Sequence, residues 1–291
     1  MAPITAVIDK SVPGDKVIKL FYCTEKAQLG LALWSGTEDA DVDDNIQVPQ
    51  DVGDGQYITN PSHMTSVSLQ GSEKVFALTT DNPFKVTNND ERNLSEVSPL
   101  YQEHDVVDIG HTTLTSCAND DNAWVYFSRS FGNGRALFER QIGGSQVTQL
   151  TWTHDLWINS FACAWYDTEN QQRKVIYEGS FLVEYTVGSE TPGAAIGTTG
   201  DMQRNSPLAV VFDSGTVYLY YCGRTNSGGI QRVMKVNGSW GFPQTVGTQT
   251  IAQDSQLSVV RANGINHLFY VARDQDELKD DYFVHYLDKN P

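Results

Sequence analysis

The residues best suited to chemistry sit between aromatic runs. The segments VYLYYCGRTNSGGIQR (217–232) and WVYFSRSFGNGRALFER (124–140) each place an arginine, an asparagine and glycines between two apolar stretches. Arg129, Arg224 and the comparable Arg273 offer rigid forks of N–H donors, which suit enolate, phenolate or carboxylate oxygens. His63 and His111 precede short apolar runs, and imidazole is the side chain that moves a proton near neutral pH. Tyr22, Phe131, Asn159, Asn205 and Asp254 occupy similar loop positions and are expected ligand contacts. Converging at one end of a fold, these residues make one pocket. There the arginines hold an oxygenated partner, a histidine serves as acid or base, and apolar walls hold two reactants together.

Other chemistry lacks its motif. No H-E-x-x-H, P-loop, nucleophile elbow or dinucleotide fingerprint occurs, so no metal or cofactor is expected. Cys23, Cys117, Cys163 and Cys222 form no C-x-x-C pair and read as buried, reduced thiols. Asp39, Asp41 and Asp43 alternate like a calcium loop, but Asp44 stands where its glycine belongs and Gln50 where its last acid belongs. The surrounding stretch, 36–63, is expected to be a solvated acidic loop. Asp9, Asp167 and Asp213 follow short apolar strands and read as turn residues at the end opposite the pocket.

The elements that must position these residues are strands. Helical periodicity is nearly absent, whereas short Val, Tyr, Phe and Thr runs recur between Gly, Asn, Asp and Ser. A small residue sits inside an apolar run at Ala6, Ser66, Ser116, Ala162, Ala209 and Ser258, with spacings of 60, 50, 46, 47 and 49 residues. After each come an aromatic strand (VIKLFY, EKVFALT, AWVYFS, RKVIYE, TVYLYY, NHLFYV) and usually a third strand, such as FLVEYTV or IQRVMKV. Repeats of this length are the signature of propeller blades. The expected fold is all-β, a six-bladed propeller of three to four antiparallel strands per blade. It forms one domain over 1–291, with blades near 3–62, 63–112, 113–158, 159–205, 206–254 and 255–291. Ala and Ser on the innermost strands let blades approach where large side chains would collide.

A formal charge of −16 repels phosphate backbones and anionic lipid, so nucleic acid and membrane surfaces are not expected partners. No run of apolar residues is long enough to span a bilayer, and the N-terminal stretch lacks the basic and apolar regions of a secretory signal. A cytoplasmic protein with a small-molecule or glycan ligand is expected.

With its inner strand of small residues, a second strand comparable to I-R-x-Y-F and a third comparable to I-x-E, the chain resembles the fungal fucose-specific lectins. That resemblance implies a sugar site repeated between blades, with the strand-two arginine and strand-three glutamate on fucose hydroxyls and an aromatic stacked on the ring. The arginine position falls on Lys19, Phe76, Trp124, Lys174, Tyr218 and His267, and the glutamate survives as Glu139 and Glu184. Trp240 stands where a stacking aromatic is expected, and Lys174 with Glu184 is the fullest remnant. A lysine does not reproduce the bidentate arginine fork. The chain also resembles lectin-related propellers of fungal natural-product pathways, the hetero-Diels–Alderases. This second resemblance implies a cofactor-free enzyme that dehydrates or cyclises a polyketide or terpenoid in one pocket at a propeller mouth. The sequence ranks that reading above a lectin with degenerate sites, and a non-catalytic scaffold third.

Overall fold

A computed structural model of the chain describes residues 3–37, 52, 55–82, 92–107, 112–224, 229–247, 250–252, 255–272, 283–289 and 291, with the backbone of 47–50. His111, Asp254, Arg273, Asp39, Asp41, Asp43 and Asp44 lie outside the described residues.

The described residues form six small antiparallel sheets. The first contains β1 (Ile4–Ile8), β2 (Val17–Cys23), β3 (Leu29–Ser35) and β4 (Gln47–Gln50). The second contains β5 (Tyr57–Ile58), β6 (Met64–Leu69), β7 (Ser72–Thr80), β8 (Arg92–Ser98) and β9 (Gln102–Val107), with β5 and β6 pairing successive parts of β7. The third runs through β10 (Leu114–Ala118), β11 (Ala123–Phe131), β12 (Gly134–Gln141) and β13 (Val147–Gln149). The fourth runs through β14 (Ala162–Asp167), β15 (Gln172–Glu178), β16 (Leu182–Thr186) and β17 (Ala194–Ala195). The fifth contains β18 (Ala209–Asp213), β19 (Thr216–Cys222), β20 (Ile230–Val236), β21 (Ser239–Trp240) and β22 (Gln244–Gly247). The sixth has three strands, β23 (Ser258–Ala262), β24 (Ile265–Tyr270) and β25 (Val284–Asp288). Among the described residues no helix is long and apolar enough to cross a membrane.

These sheets cluster into two compact units, 1–110 with 252–291, and 111–251. In the first unit β1 is flanked by β6 and β23; in the second, β14 is flanked by β10 and β18. The small residues appear on these neighbouring strands. Thr5 Oγ1 and Ser66 Oγ share a hydrogen bond of 2.8 Å, and the Ala6 N–H donates to Ser258 Oγ at 2.9 Å. Gln256 joins three sheets: its Oε1 accepts from the N–H groups of Ile4 (3.2 Å) and Met64 (2.9 Å), and its Nε2 donates to the Met64 carbonyl (2.6 Å). Two-residue alternation turns the other face of each sheet toward its neighbour. Val7, Phe21, Met64 and Val75 pack between the first two sheets, and Ile18, Leu20, Val260 and Phe269 between the first and sixth. In the second unit Tyr126, Leu137, Val175 and Tyr177 fill the layer between the third and fourth sheets. Cys163, Ile176, Leu219 and Val233 do the same between the fourth and fifth.

Candidate functional site

Where the fourth and fifth sheets meet, the apolar layer opens into a polar cleft of about 440 Å³. Its walls come from the β14–β15 turn, the β18–β19 turn and the β20–β21 turn, with Lys174 and Glu184 on the faces of β15 and β16. Those turns lie at the end of the sheets opposite the tip of the β11–β12 hairpin, where Arg129 is a residue of β11 and not of a loop, and opposite the loops that carry Asn159, Asn205 and Arg224.

Glu184 is the centre of the cleft. It is buried, and its Oε1 and Oε2 each accept from Lys235 Nζ at 2.7 Å. Trp240 Nε1 donates to Oε2 at 2.9 Å, and Lys174 Nζ stands 3.8 Å from Oε1. Lys174 donates to Thr186 Oγ1 at 2.7 Å, while Lys235 lies 5.7 Å from the centroid of the Trp240 ring. The fourth sheet's register places Glu184 opposite Ile176, two residues beyond Lys174, so both side chains emerge on one face. Trp165 closes the floor; its Nε1 is buried without an acceptor among the described residues. At the rim, Asp167 accepts from the N–H groups of Glu169 (3.1 Å) and Asn170 (3.0 Å) and from Asn170 Nδ2 (2.9 Å). Burial raises its pKa, but these bonds and Lys174 outweigh it and leave the carboxyl lowered. The cleft thus alternates ammonium and indole donors with carboxylate acceptors beside an apolar floor, a surface suited to a neutral, polyhydroxylated ligand.

Lys174, Glu184 and Trp240, all expected from the sequence, are brought together; Lys235 and Trp165 are partners that sequence reasoning missed. Glu139 is held elsewhere, 2.6 Å from Arg173 Nη1. The register also revises one position of the resemblance. Glu96 lies opposite Phe76, as Glu139 lies opposite Tyr126 and Glu184 opposite Ile176. Counting two residues back gives Lys74, not Phe76, and Lys74 Nζ is 2.6 Å from Glu96 Oε1. A bulge between Val75 and Phe76 obscures this in the sequence.

None of the other expected residues that the structure describes lines the cleft. His63 is buried, and burial pulls its pKa down to about 3, so it stays neutral at physiological pH and supplies no acid there. Tyr22 is buried against Phe283, with ring centroids 5.0 Å apart. The Arg129 guanidinium carbon lies 5.1 Å from the Phe127 centroid and 5.7 Å from that of Phe138. Arg224 braces its own loop, donating from its backbone to Asp201 O (2.6 Å) and from Nε to Met202 O (3.0 Å). Phe131 is exposed, and Asn159 and Asn205 are exposed turn residues with φ of 54° and 52°. The Asn205 N–H donates to Glu178 Oε1 at 2.8 Å. Glu178 is 1% exposed and its Oε2 has no hydrogen-bond partner among the described residues; burial raises its pKa to about 7 against the pull of Asn205 N–H and Arg204. All four cysteines are buried and in no disulfide, and burial pushes Cys23 and Cys117 up to about 12.

Among solved structures, the chain is similar to the fucose-recognising lectin of Aleuria aurantia, described as a six-bladed β-propeller. The TM-score is 0.65 at 13% identity, over 93% of this chain and 88% of that one. The chain has a six-bladed β-propeller fold. A variant of the same lectin in complex with α-methyl-L-fucoside gives 0.63 at 12% identity over 98% and 94% of the two chains. AofleA from Arthrobotrys oligospora gives 0.62 at 11% identity over 98% and 86%. No protein-family model matches the sequence, and no curated protein does. The six sheets are the blades, and the cleft lies between blades 4 and 5.

Proposed function

We propose that this propeller is a lectin that binds a neutral saccharide in the cleft between blades 4 and 5. The observation that carries the reading is Glu184, a buried carboxylate ringed by two lysines and an indole N–H in an open, polar cleft. It stands at the position where the resemblance to fucose-specific lectins puts the sugar-binding glutamate. Sugar hydroxyls both donate and accept, and the cleft offers both partners within one ring width. Lys174 replaces a bidentate arginine with a single ammonium, so single-site affinity is expected to be modest.

The reading of the chain as a cofactor-free cyclase or dehydratase has less support. Its described arginines are held by ring faces and backbone carbonyls, and His63 is neutral and buried. A glycan array followed by calorimetric titration with α-methyl-L-fucoside tests the lectin reading. Glu184→Ala and Lys174→Ala are expected to weaken the bound sugar at least about tenfold. An array with no bound glycan, or binding indifferent to both substitutions, would sink it.

A further inference from the structure

We propose that the residue just before the former arginine position of each following blade is a gate for the preceding cleft, and that Val217 keeps the cleft between blades 4 and 5 open. This deepens the lectin reading, although the gate itself is a statement about charge and shape. Four clefts lie within the two units, and each shows the gate differently.

Between blades 1 and 2 the sugar-site positions hold Lys19 and, opposite Phe21, Leu31. Of the two positions only Lys19 is charged; it stands 3.1 Å from Asp9 Oδ2 of its own blade, and the gate residue is Glu73, 3.0 Å from Lys19 Nζ. Between blades 3 and 4 the positions hold Trp124 and Glu139. One negative charge is left, and the gate is Arg173, 2.6 Å from Glu139 Oε1. The Arg173 guanidinium carbon also lies 4.9 Å from the Trp124 ring centroid, and Trp124 stacks on Tyr166 at 3°, so the cleft is filled. Between blades 6 and 1 the positions hold His267 and His285, joined by a 2.9 Å N···N contact. The gate there is Ile18, and Trp34 packs its edge on His285 with centroids 4.9 Å apart. Between blades 4 and 5 the positions keep both charges, Lys174 and Glu184, and the gate is Val217.

Where one of the two positions alone is charged, the gate therefore carries the opposite charge, and where both or neither is charged it is apolar. The physical reason is the cost of a half-buried charge without a counter-ion. A cleft that has lost one member of its Lys/Glu pair exposes the other to more of that cost, Lys19 then having Asp9 as its counter-ion within blade 1. A gate of opposite sign removes it and in doing so fills the space a ligand would take. Where both members remain, Lys235, paired with Val217 across the fifth sheet, already bonds Glu184, and valine is too short to fill the space beside it.

The test uses the full chain. In crystals of Val217→Arg, the introduced guanidinium is expected within hydrogen-bond distance of Glu184, with the cleft filled. In titrations with α-methyl-L-fucoside, Val217→Arg is expected to weaken binding at least about tenfold and Val217→Thr to leave it within about threefold. A solvent-directed arginine beside an open cleft, or unchanged binding, overturns the gate. A wild-type chain that binds no sugar defeats the lectin reading while the crystal structure still decides the gate. If Val217→Arg does not fold, the Arg173/Glu139 pair decides instead. Arg173→Glu is expected to lower the melting temperature and the swap with Glu139→Arg to restore it. No restoration by the swap overturns the gate.

Discussion

Glu178 gives a prediction with a defined sign and window. Its pKa is raised to about 7 in the folded chain because it is buried, whereas an unfolded glutamate titrates near 4.5. Below pH 4.5 both states hold the proton and folding is unaffected. Between 4.5 and 7 the native chain binds more protons than the unfolded one, so stability falls as pH rises. Above 7 the loss is complete. The difference of pKa corresponds to roughly 3 kcal/mol, and at 1% exposure solvent screening removes little of it. Arg204 is the charged group that opposes the shift. Glu178→Gln keeps an oxygen for the Asn205 N–H and removes the ionisation. Urea denaturation of both chains at pH 5 and pH 8 reads the effect, since other titrating groups cancel in the difference. The variant is expected to exceed the wild type by no more than about 1 kcal/mol at pH 5 and by about 3 kcal/mol at pH 8. An equal difference at both values would refute the reasoning.

Two further outcomes follow from buried polar groups in the first unit. Gln256→Ala removes the acceptor of the Ile4 and Met64 N–H groups and the donor to Met64 O; a loss of about 2 kcal/mol is expected, with faster hydrogen exchange at those two amides. Unchanged exchange there would count against the bridge. His267 and His285 are held down to about 4 by burial, so the native chain binds fewer protons than the unfolded one between pH 6.5 and 4. Stability should fall with acid across that window, and His285→Phe should flatten the fall in denaturation series at pH 6.5 and 4.5.

The fold was legible because its cause repeats. A small residue followed by an aromatic strand recurs six times, and both have local reasons, close approach on the innermost strand and burial between sheets. The candidate cleft was only half legible. Lys174, Glu184 and Trp240 stand out because the alternation of β15 and β16 and the NGSW turn are visible in the chain. Lys235 and Trp165 join them across two sheets, and no single repeat encodes that meeting. Lys74 was hidden because β7 has nine residues and a bulged partner strand, so aligning strands by their aromatic ends misplaces it by two. Arg129 and Arg224 read from the sequence as loop arginines, yet Arg129 belongs to β11 and lies against ring faces, and backbone carbonyls take up Arg224. His63 looks catalytic by residue type, and only its burial shows otherwise.

The hydroxyl contacts along the innermost strands of the first unit also act as an index marks. Thr5 meets Ser66, Ser66 donates to Ala6 O at 3.2 Å, and Ala6 donates to Ser258, so each strand is fixed in height against the next. A slip of one residue would bring Val67 or Thr65 to the place of Ser66 and Leu257 or Val259 to that of Ser258, and would turn both serine hydroxyls to the other face of their strands. Apolar packing holds neighbouring blades together without saying where along the strand they should stop. These few short polar contacts supply the stop, and so decide whether residues on different blades, such as Lys19 and Glu73, arrive at the same level.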